Sequence, residues 1–294
     1  MKISAYVPCY NAYAWVGSAV DSIIRQTVPV DELFVVDDGS TDASPSSVCV
    51  KVIKSERNLG RGATRATALA YATGDLVLGC DATMLLHPSF LETALPWFKD
   101  NRVAAVFGWI KNGGRPTLGN RWRGRHLFRS DESSPEVIHG ASLATTCSVI
   151  RKSAVEKVGG FDSRLREGED YELSERLLRA GFDVVFDPGL WAVSEKSDTV
   201  WQALERYARW NARTPFGLGA FLRQLAYACK IMAVADLRAK DPLSTFVSLF
   251  SPYYQFWYGH FRARCGVNHS PVLPVSRLAQ KIGPPHKDIT DSRE

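Results

Sequence analysis

The chain has 294 residues, of which 45% are hydrophobic, and its formal net charge is +5. This size and apolar content are enough for one large α/β domain plus an appendage, and they exclude a chain that is disordered throughout. The N-terminus has no long apolar core with a cleavage site, and the six cysteines show no zinc-binding spacing, so we expect a cytoplasmic protein with reduced thiols.

Strand-like and helical runs alternate over the first half of the chain. Short apolar runs predict strands at Ile3 to Val7, Leu33 to Val36, Val50 to Ile53, Leu76 to Cys80 and Val103 to Phe107. Apolar residues with a helical period predict a helix through Val16 and Ile24, a second near Ala63 to Ala72 and a third after Pro88. The pattern is typical of a mostly parallel central sheet that helices cover on both faces.

Polar residues follow the first two strands at the point where each strand ends. Pro8 and Asn11 follow the first, and the turn Asp37 to Ser40 follows the second. Open parallel sheets bind ligands at the carboxyl ends of their strands, where a carboxylate can accept hydrogen bonds from a base or a ribose. We therefore expect a nucleotide-binding cleft, although Asp37 and Asp38 also suit a simple turn in which they cap backbone amides.

Two further segments carry groups suited to a diphosphate. The segment Asn58 to Gly62 precedes a helix, so its backbone amides, Arg61 and Arg65 are candidates to face phosphates. Asp81 follows the strand that ends at Cys80, where a pair of carboxylates would hold Mg²⁺ or Mn²⁺. Thr83 offers only a neutral hydroxyl at the second position, which leaves the use of a metal open.

Glu169 and Asp170 open a predicted helix, followed by a strand at Asp183 to Phe186. One interpretation is structural, with Asp170 as N-cap and Glu169 complementing the helix dipole. The other is catalytic, with a carboxylate at the rim of the cleft accepting the proton of an acceptor hydroxyl. The two roles are compatible.

The stretch from Gly108 to Glu136 shows no clear period and is predicted to be a long surface excursion. Long loops of this kind are often functional lids, and Trp109 and Trp122 favour that role here. The basic run Arg121 to Arg125 and the surplus of positive charge near the C-terminus are the only features that favour nucleic acid. We expect no nucleic-acid partner.

Beyond Thr199 the composition changes to helical segments rich in aromatic and basic residues. We therefore predict a catalytic domain at 1–198, a helical extension at 199–265 and a loosely ordered tail at 266–294. Neither 216–237 nor 245–261 offers the roughly 20 uninterrupted apolar residues of a spanning helix. These helices suit a membrane interface, but packing on the catalytic domain or on a second subunit explains them equally well.

The motifs VPCYNA, VVDDGSTD, NLGRGATR, GDLVLGCDATMLLHP, GGFD and GEDYEL occur in this order. Together they resemble the GT-A fold glycosyltransferases of family 2, which are inverting enzymes that use nucleotide sugars; the resemblance covers roughly residues 1–195. It implies that Pro8 and Asn11 line the nucleotide pocket, that Asp38 contacts the base and that Asp81 belongs to the DxD element. It also implies that Asp170 is the catalytic base with Glu169 beside it, and that Arg61 and Arg65 stabilise the leaving diphosphate.

Three departures from the family pattern bear on mechanism. Thr83 replaces the second aspartate of the DxD element, so the divalent cation that the family implies is in question. The histidine often found after the last strand is missing, and Glu195 is the candidate to replace it. Arg206 stands where processive synthases have the glutamine of QxxRW, and without spanning helices for a polymer channel we expect transfer of a single sugar.

The sequence therefore predicts a membrane-associated glycosyltransferase on the cytoplasmic side. It would move one sugar from a UDP, GDP or dTDP sugar to a saccharide or lipid-linked precursor of the cell envelope or of an exopolysaccharide. The alternative is a non-catalytic GT-A domain that binds a nucleotide sugar or scaffolds a partner enzyme, against which Asp81 and Asp170 argue. No glycine-rich loop follows the first strand, which disfavours a nucleotidyltransferase and a Rossmann dehydrogenase. Donor, acceptor and oligomeric state are left open.

Overall fold

The computed structural model describes residues 1–130, 136–211 and 217–264. Its centre is one sheet of eight strands: β1 (Ile3–Cys9), β2 (Glu32–Asp37), β3 (Lys51–Lys54), β4 (Leu76–Cys80), β5 (Met84–Leu86), β6 (Val103–Asn112), β7 (Cys147–Arg151) and β8 (Asp183–Ser194). Their order across the sheet is β3-β2-β1-β4-β7-β6-β8-β5. Among the described strands, only β7 and β5 are antiparallel to the strands they pair with. The predicted mostly parallel sheet is therefore confirmed.

Helices cover both faces of the sheet. They are α1 (Val16–Ile24), α2 (Arg61–Tyr71), α3 (Phe90–Ala94), α4 (Leu118–His126), α5 (Lys152–Lys157) and α6 (Glu169–Arg179). One core, around Val7, Ile23 and Phe90, lies between the sheet and α1 and α3. A second core, around Phe34 and Leu173, lies on the other face with α2, α5 and α6. Because both faces are covered, the central strands are apolar on both sides, as their sequences indicate.

In the described residues, four helices follow the sheet: α7 (Val200–Asn211), α8 (Leu218–Tyr227), α9 (Ala233–Arg238) and α10 (Pro242–Arg264). A single π-helical turn, Ala228–Met232, joins α8 to α9. A third core packs α7, the π-helical turn and α10 against α4, and it contains Trp122, Leu204, Tyr207, Met232 and Val247. The change of composition near Thr199 thus coincides with the start of α7, while the division into separate domains stays a prediction.

The predicted surface excursion at 108–136 is wrong for the residues that the structure describes. Strand β6 continues to Asn112, and α4 buries Trp122 and Arg123 completely. Trp122 donates a hydrogen bond from Nε1 to Ser248 Oγ at 2.9 Å, and Arg123 pairs with Asp198 at 3.1 Å. The helix escapes detection because its buried face is built from paired polar groups and one tryptophan rather than from an apolar stripe.

One helix differs from the expectation that neither C-terminal segment could span a membrane. The helical segment Leu218–Arg238 has 21 residues, and a stretch of 18 of them has a mean hydropathy of 1.3 with 17% buried, so it is long and apolar enough by length and composition alone. Arg223 and Lys230 interrupt the apolar run without lowering the average below that of a spanning helix. The predicted tail at 266–294 lies outside the described residues.

Candidate active site

A cavity of about 620 Å³ opens at the carboxyl ends of β1, β2 and β4. Strand β1 lies between β2 and β4 and is parallel to both. Helix α1, between β1 and β2, and helix α2, between β3 and β4, lie on opposite faces of the sheet. This is the switch point at which open α/β sheets bind ligands. Pro8, Asp38, Asp81 and Thr83 line the cavity from the sheet, and Arg209 and Trp210 of α7 line it from the other side.

Asp38 organises the segment that precedes α2. Its Oδ1 accepts a hydrogen bond from the Leu59 amide at 2.7 Å, and its Oδ2 accepts one from the Gly60 amide at 2.9 Å. The side chain is nearly buried but lines the cavity. Each carboxylate oxygen retains a further lone pair, so Asp38 can support the loop and still accept a hydrogen bond from a base or ribose.

The backbone amides of this segment are already used within the protein. Beyond the two that Asp38 binds, the Arg61 amide donates to the Arg166 carbonyl at 3.2 Å and the Gly62 amide donates to the Leu165 carbonyl at 2.9 Å. The prediction that the amides of 58–62 face phosphates is therefore wrong for these four. The Arg61 side chain lines the cavity and is exposed, so it remains a candidate phosphate ligand.

Asn11 shapes the loop after β1 rather than lining the cavity. Its φ is 48°. Its side-chain Oδ1 accepts a hydrogen bond from the Thr41 backbone amide at 2.9 Å, and its backbone amide donates to Ser40 Oγ at 2.9 Å. The neighbouring Pro8 and Tyr10 do line the cavity. Asn11 thus ties the loops after β1 and β2 together, and the pocket position inferred for it differs from where its side chain lies.

Arg65 is the centre of a buried polar network. Its side chain is 2% exposed; Nη2 lies 2.9 Å from Asp81 Oδ1, Nε lies 2.9 Å from Glu169 Oε1, and Nη1 donates to Tyr6 Oη at 3.0 Å. These bonds join the end of β4 to the start of α6. Because its guanidinium is committed to protein carboxylates, Arg65 suits a positioning role better than the predicted contact with the diphosphate.

Asp170 lies in the first turn of α6 and does not line the cavity, but its charge interacts with Arg61 and Arg65, which do. Gly168, with a φ of 80°, takes the N-cap position, so the structural interpretation of Asp170 as N-cap is wrong. Burial, followed by the charge of Glu169, raises the pKa of Asp170 to about 6, while Arg65 and Arg61 act in the opposite direction. A carboxylate with this pKa is ionised near neutrality and still basic enough to accept a proton.

The residues around Asp81 fit a divalent cation poorly. The Asp81 carboxylate is already paired with Arg65, and Thr83 contributes only a neutral hydroxyl. Glu195 lies near, since its amide donates to the Thr83 carbonyl at 2.9 Å, but its Oε2 is buried and it does not line the cavity. Among the described residues, no group of three or more His, Cys, Asp or Glu side chains is arranged to hold a metal.

Sequence reasoning missed the side chains that close the cavity on the C-terminal side. Lys196, Arg206, Arg209 and Trp210 all line it, and the Trp210 ring lies 6.3 Å from that of Phe128. The partial match to QxxRW at 206–210 was the available signal. The helical period of apolar residues in α7 predicts which side of the helix is buried. It does not predict that the polar residues of α7 face the cavity.

A sheet of this order, with a nucleotide-sized cavity at the carboxyl ends of β1, β2 and β4, defines the GT-A fold of nucleotide-diphospho-sugar transferases. A mannosyltransferase from Pyrobaculum calidifontis, solved with GDP-Man and Mn²⁺, shares it with a TM-score of 0.52 and 19% identity over 95% of this chain and 79% of its own. The model of glycosyl transferase family 2 matches residues 4–159. The chain therefore belongs to that family.

Curated relatives agree with this assignment. A pre-mycofactocin glycosyltransferase of Mycobacterium tuberculosis is 31% identical over 169 residues, which are 53% of this chain and 36% of that protein. An O-antigen chain rhamnosyltransferase of Salmonella typhimurium is 25% identical over 200 residues, 63% of this chain and 64% of that protein. The chain thus covers less than two thirds of the length of these relatives.

Proposed function

We propose that this protein is an inverting glycosyltransferase that moves one sugar from a nucleotide-diphosphate sugar to a hydroxyl of a lipid-linked precursor of the cell envelope or of an exopolysaccharide. The observation that carries the proposal is the cavity, where Pro8, Asp38 and Asp81 meet and Asp170 lies alongside. The named activity of the Salmonella relative, O-antigen rhamnosyl transfer, supports an envelope polysaccharide as the product class.

The chemistry needs one base and one leaving group. Asp170 accepts the proton of the acceptor hydroxyl while that oxygen bonds to the anomeric carbon of the donor sugar. The bond from this carbon to the nucleoside diphosphate breaks on the opposite face, so the configuration inverts in one displacement. The thiol of Cys9, which also lines the cavity, is not an alternative nucleophile, because burial raises its pKa to about 11.

The remaining site residues bind the donor or hold the site in place. Pro8 and Asp38 hold the base and ribose, and Asp81 holds the ribose on the other side. Arg65 and Glu169 hold Asp81 and α6 in place through the buried network. Asp170 alone is left to act on the acceptor, since Glu169 is 1% exposed and bound to Arg65.

A lipid-linked acceptor is supported by an apolar surface on the C-terminal helices. Helix α10 exposes five large apolar side chains on one stripe: Leu243, Phe246, Phe250, Tyr253 and Trp257. Helix α8 adds Leu218 and Leu222, which are also exposed. A stripe of exposed aromatic and aliphatic side chains is what an interfacial helix presents to a bilayer. We therefore propose peripheral contact with the inner face of the membrane.

Donor identity is tested by turnover. The purified protein is incubated with UDP, GDP and dTDP sugars and a lipid-extract acceptor, with and without Mn²⁺, and release of nucleoside diphosphate is followed together with the anomeric configuration of the product. We expect one nucleotide class to be consumed with inversion. Retention of configuration, or no consumption of any donor while a positive-control transferase turns over, would contradict the proposal.

Membrane contact is tested by sedimentation with vesicles that contain anionic lipid. The double variant Phe246→Ser, Trp257→Ser removes two of the most exposed apolar side chains of the stripe, and we expect vesicle binding to fall by about tenfold or more. Tyr71→Ser, an exposed aromatic on α2, is the matched control and should bind as the unaltered protein does. Unchanged vesicle binding would assign the stripe to packing against protein.

A further inference from the structure

The cavity carries more positive charge than its own carboxylates balance. Among the described residues, seven basic side chains line it against three acidic ones, and three of the seven, Arg65, Arg164 and Arg206, already pair with carboxylates. Two of these acids are already engaged, Asp38 by backbone amides and Asp81 by Arg65. An anionic ligand would therefore lower the electrostatic energy of this cavity.

The excess charge is concentrated at α7. Arg206 and Arg123 share the single carboxylate of Asp198, whose Oδ2 lies 3.2 Å from Arg206 Nη2 and 3.1 Å from Arg123 Nη1. Burial lowers the pKa of Arg206; Asp198 raises it, but Arg123, Arg209 and Arg61 lower it further. One carboxylate between two guanidinium groups leaves a net charge of about +1 on the three groups. Arg209 and Arg61 add to this positive charge.

Two donors in this cluster have no acceptor. The Nε atoms of Arg206 and of Arg209 are buried and make no hydrogen bond within the described part of the chain. Buried N–H groups are almost always paired, because leaving one unpaired costs its full desolvation energy. Phosphate oxygens are the acceptors that guanidinium groups match best. The two orphaned donors therefore point to a phosphate ligand beside α7.

Basic side chains reach the cavity from two further elements. Arg61 is the first residue of α2, and Lys196 follows β8. Together with α7 they place cations on three elements around one space, an arrangement that can neutralise a diphosphate from several sides. By contrast, the metal position of the family retains a single carboxylate, Asp81, and a guanidinium already balances its charge.

We propose that Arg61, Lys196, Arg206 and Arg209 neutralise the diphosphate of the donor, and that the enzyme binds its donor without a divalent cation. This inference rests on the proposed function, because it presumes a nucleotide-sugar donor. The same side chains stabilise the charge that develops on the departing nucleoside diphosphate, which is the role a metal ion has in transferases that use one.

Isothermal titration with UDP, GDP and dTDP tests the inference in buffer with EDTA and in buffer with MnCl₂. We expect the nucleotide that binds to do so with dissociation constants that agree within about tenfold in the two buffers. A weakening of more than about tenfold in EDTA, restored by Mn²⁺, would overturn the inference and leave the proposed function standing.

Two charge-removing variants identify the ligands. Arg209→Gln and Arg61→Gln are each expected to weaken binding in EDTA by about ten- to hundredfold, the usual effect of losing a charge-assisted hydrogen bond. Arg61 is exposed, so its variant answers the question even if Arg209→Gln does not fold. The matched control is Arg179→Gln, an exposed arginine on α6 that pairs with Glu175, and it should bind normally.

Failure of the inference and failure of the proposed function give different binding results. Normal binding by both arginine variants would overturn the assignment of the diphosphate to these side chains. If none of the three nucleoside diphosphates binds in either buffer, the nucleotide-sugar donor is wrong, and the proposed function fails together with the inference.

Discussion

Replacing Asp170 with asparagine is expected to reduce the rate of sugar transfer by about 10²- to 10⁴-fold, the usual contribution of a general base. The variant keeps the size of the side chain and removes its ability to accept a proton. Donor binding should change little, because Asp170 lies beside the cavity and does not line it. The rate is measured under saturating donor, and the dissociation constant of the donor is measured separately.

The pH profile provides the internal check on this prediction. Since Asp170 must be ionised to act, kcat/KM should rise with pH around a midpoint near its pKa of about 6, and that limb should disappear from the residual activity of the variant. Because the folded state raises this pKa above 3.8, any stability linked to Asp170 is complete below pH 3.8 and lost as pH rises through 6. The variant should therefore be no less stable at neutral pH.

A control in the same helical turn separates catalysis from helix stability. Glu172→Gln removes an acidic side chain from the first turn of α6, where it pairs with Arg176, and should retain nearly full activity. Full activity of Asp170→Asn would reject Asp170 as the base. Equal losses in the two variants would assign the effect to the start of α6.

Replacing Arg65 with methionine is expected to destabilise the fold by about 3–5 kcal/mol, the cost of removing one partner from a buried ion pair. Methionine fills a similar volume, so the loss comes from the charge. Glu169, which is 1% exposed, would be left without its cation, and Asp81 would lose its partner as well. Urea unfolding, followed by circular dichroism, measures the free energy of unfolding.

The double variant Arg65→Met, Glu169→Gln distinguishes a charge effect from a packing effect. Removing the carboxylate that Arg65 leaves behind should recover part of the lost stability, since a neutral amide costs less to bury than an unpaired charge. Strict additivity of the two single changes would show that the residues do not act as a pair. An Arg65→Met protein as stable as the original would contradict the buried network.

The sheet and the ends of its strands were accessible from the sequence because both depend on local patterns. Apolar runs predict β1, β2 and β4, and parallel neighbours necessarily bring their carboxyl ends to one edge, so Asp38 and Asp81 meet as expected. The family resemblance added the assignment of Asp170, which stays a prediction. The local pattern alone allowed an N-cap role that Gly168 in fact takes.

What the sequence could not provide depends on partners far apart in the chain. The amides of Leu59 and Gly60 seemed available to phosphates, because nothing local shows that Asp38 binds them. Arg65 seemed to be a ligand for the same reason, although two carboxylates enclose it. Burial of α4 depends on Asp198 and Ser248, which lie 75 and 126 residues from their partners.

Because α7 lines the cavity, the catalytic domain cannot be shortened to the sheet and its helices alone. The third core holds Tyr207 against Trp122 and Val247, so the helix that carries Arg206 and Arg209 is fastened to the bundle that exposes the aromatic stripe of α10. A fragment that ends at Asp198 would lack Arg206, Arg209 and Trp210, which line the cavity. Under the proposed function, sugar transfer and membrane contact would use two surfaces of one packed unit, so a lipid-bound acceptor would reach the donor at a fixed distance from the membrane surface.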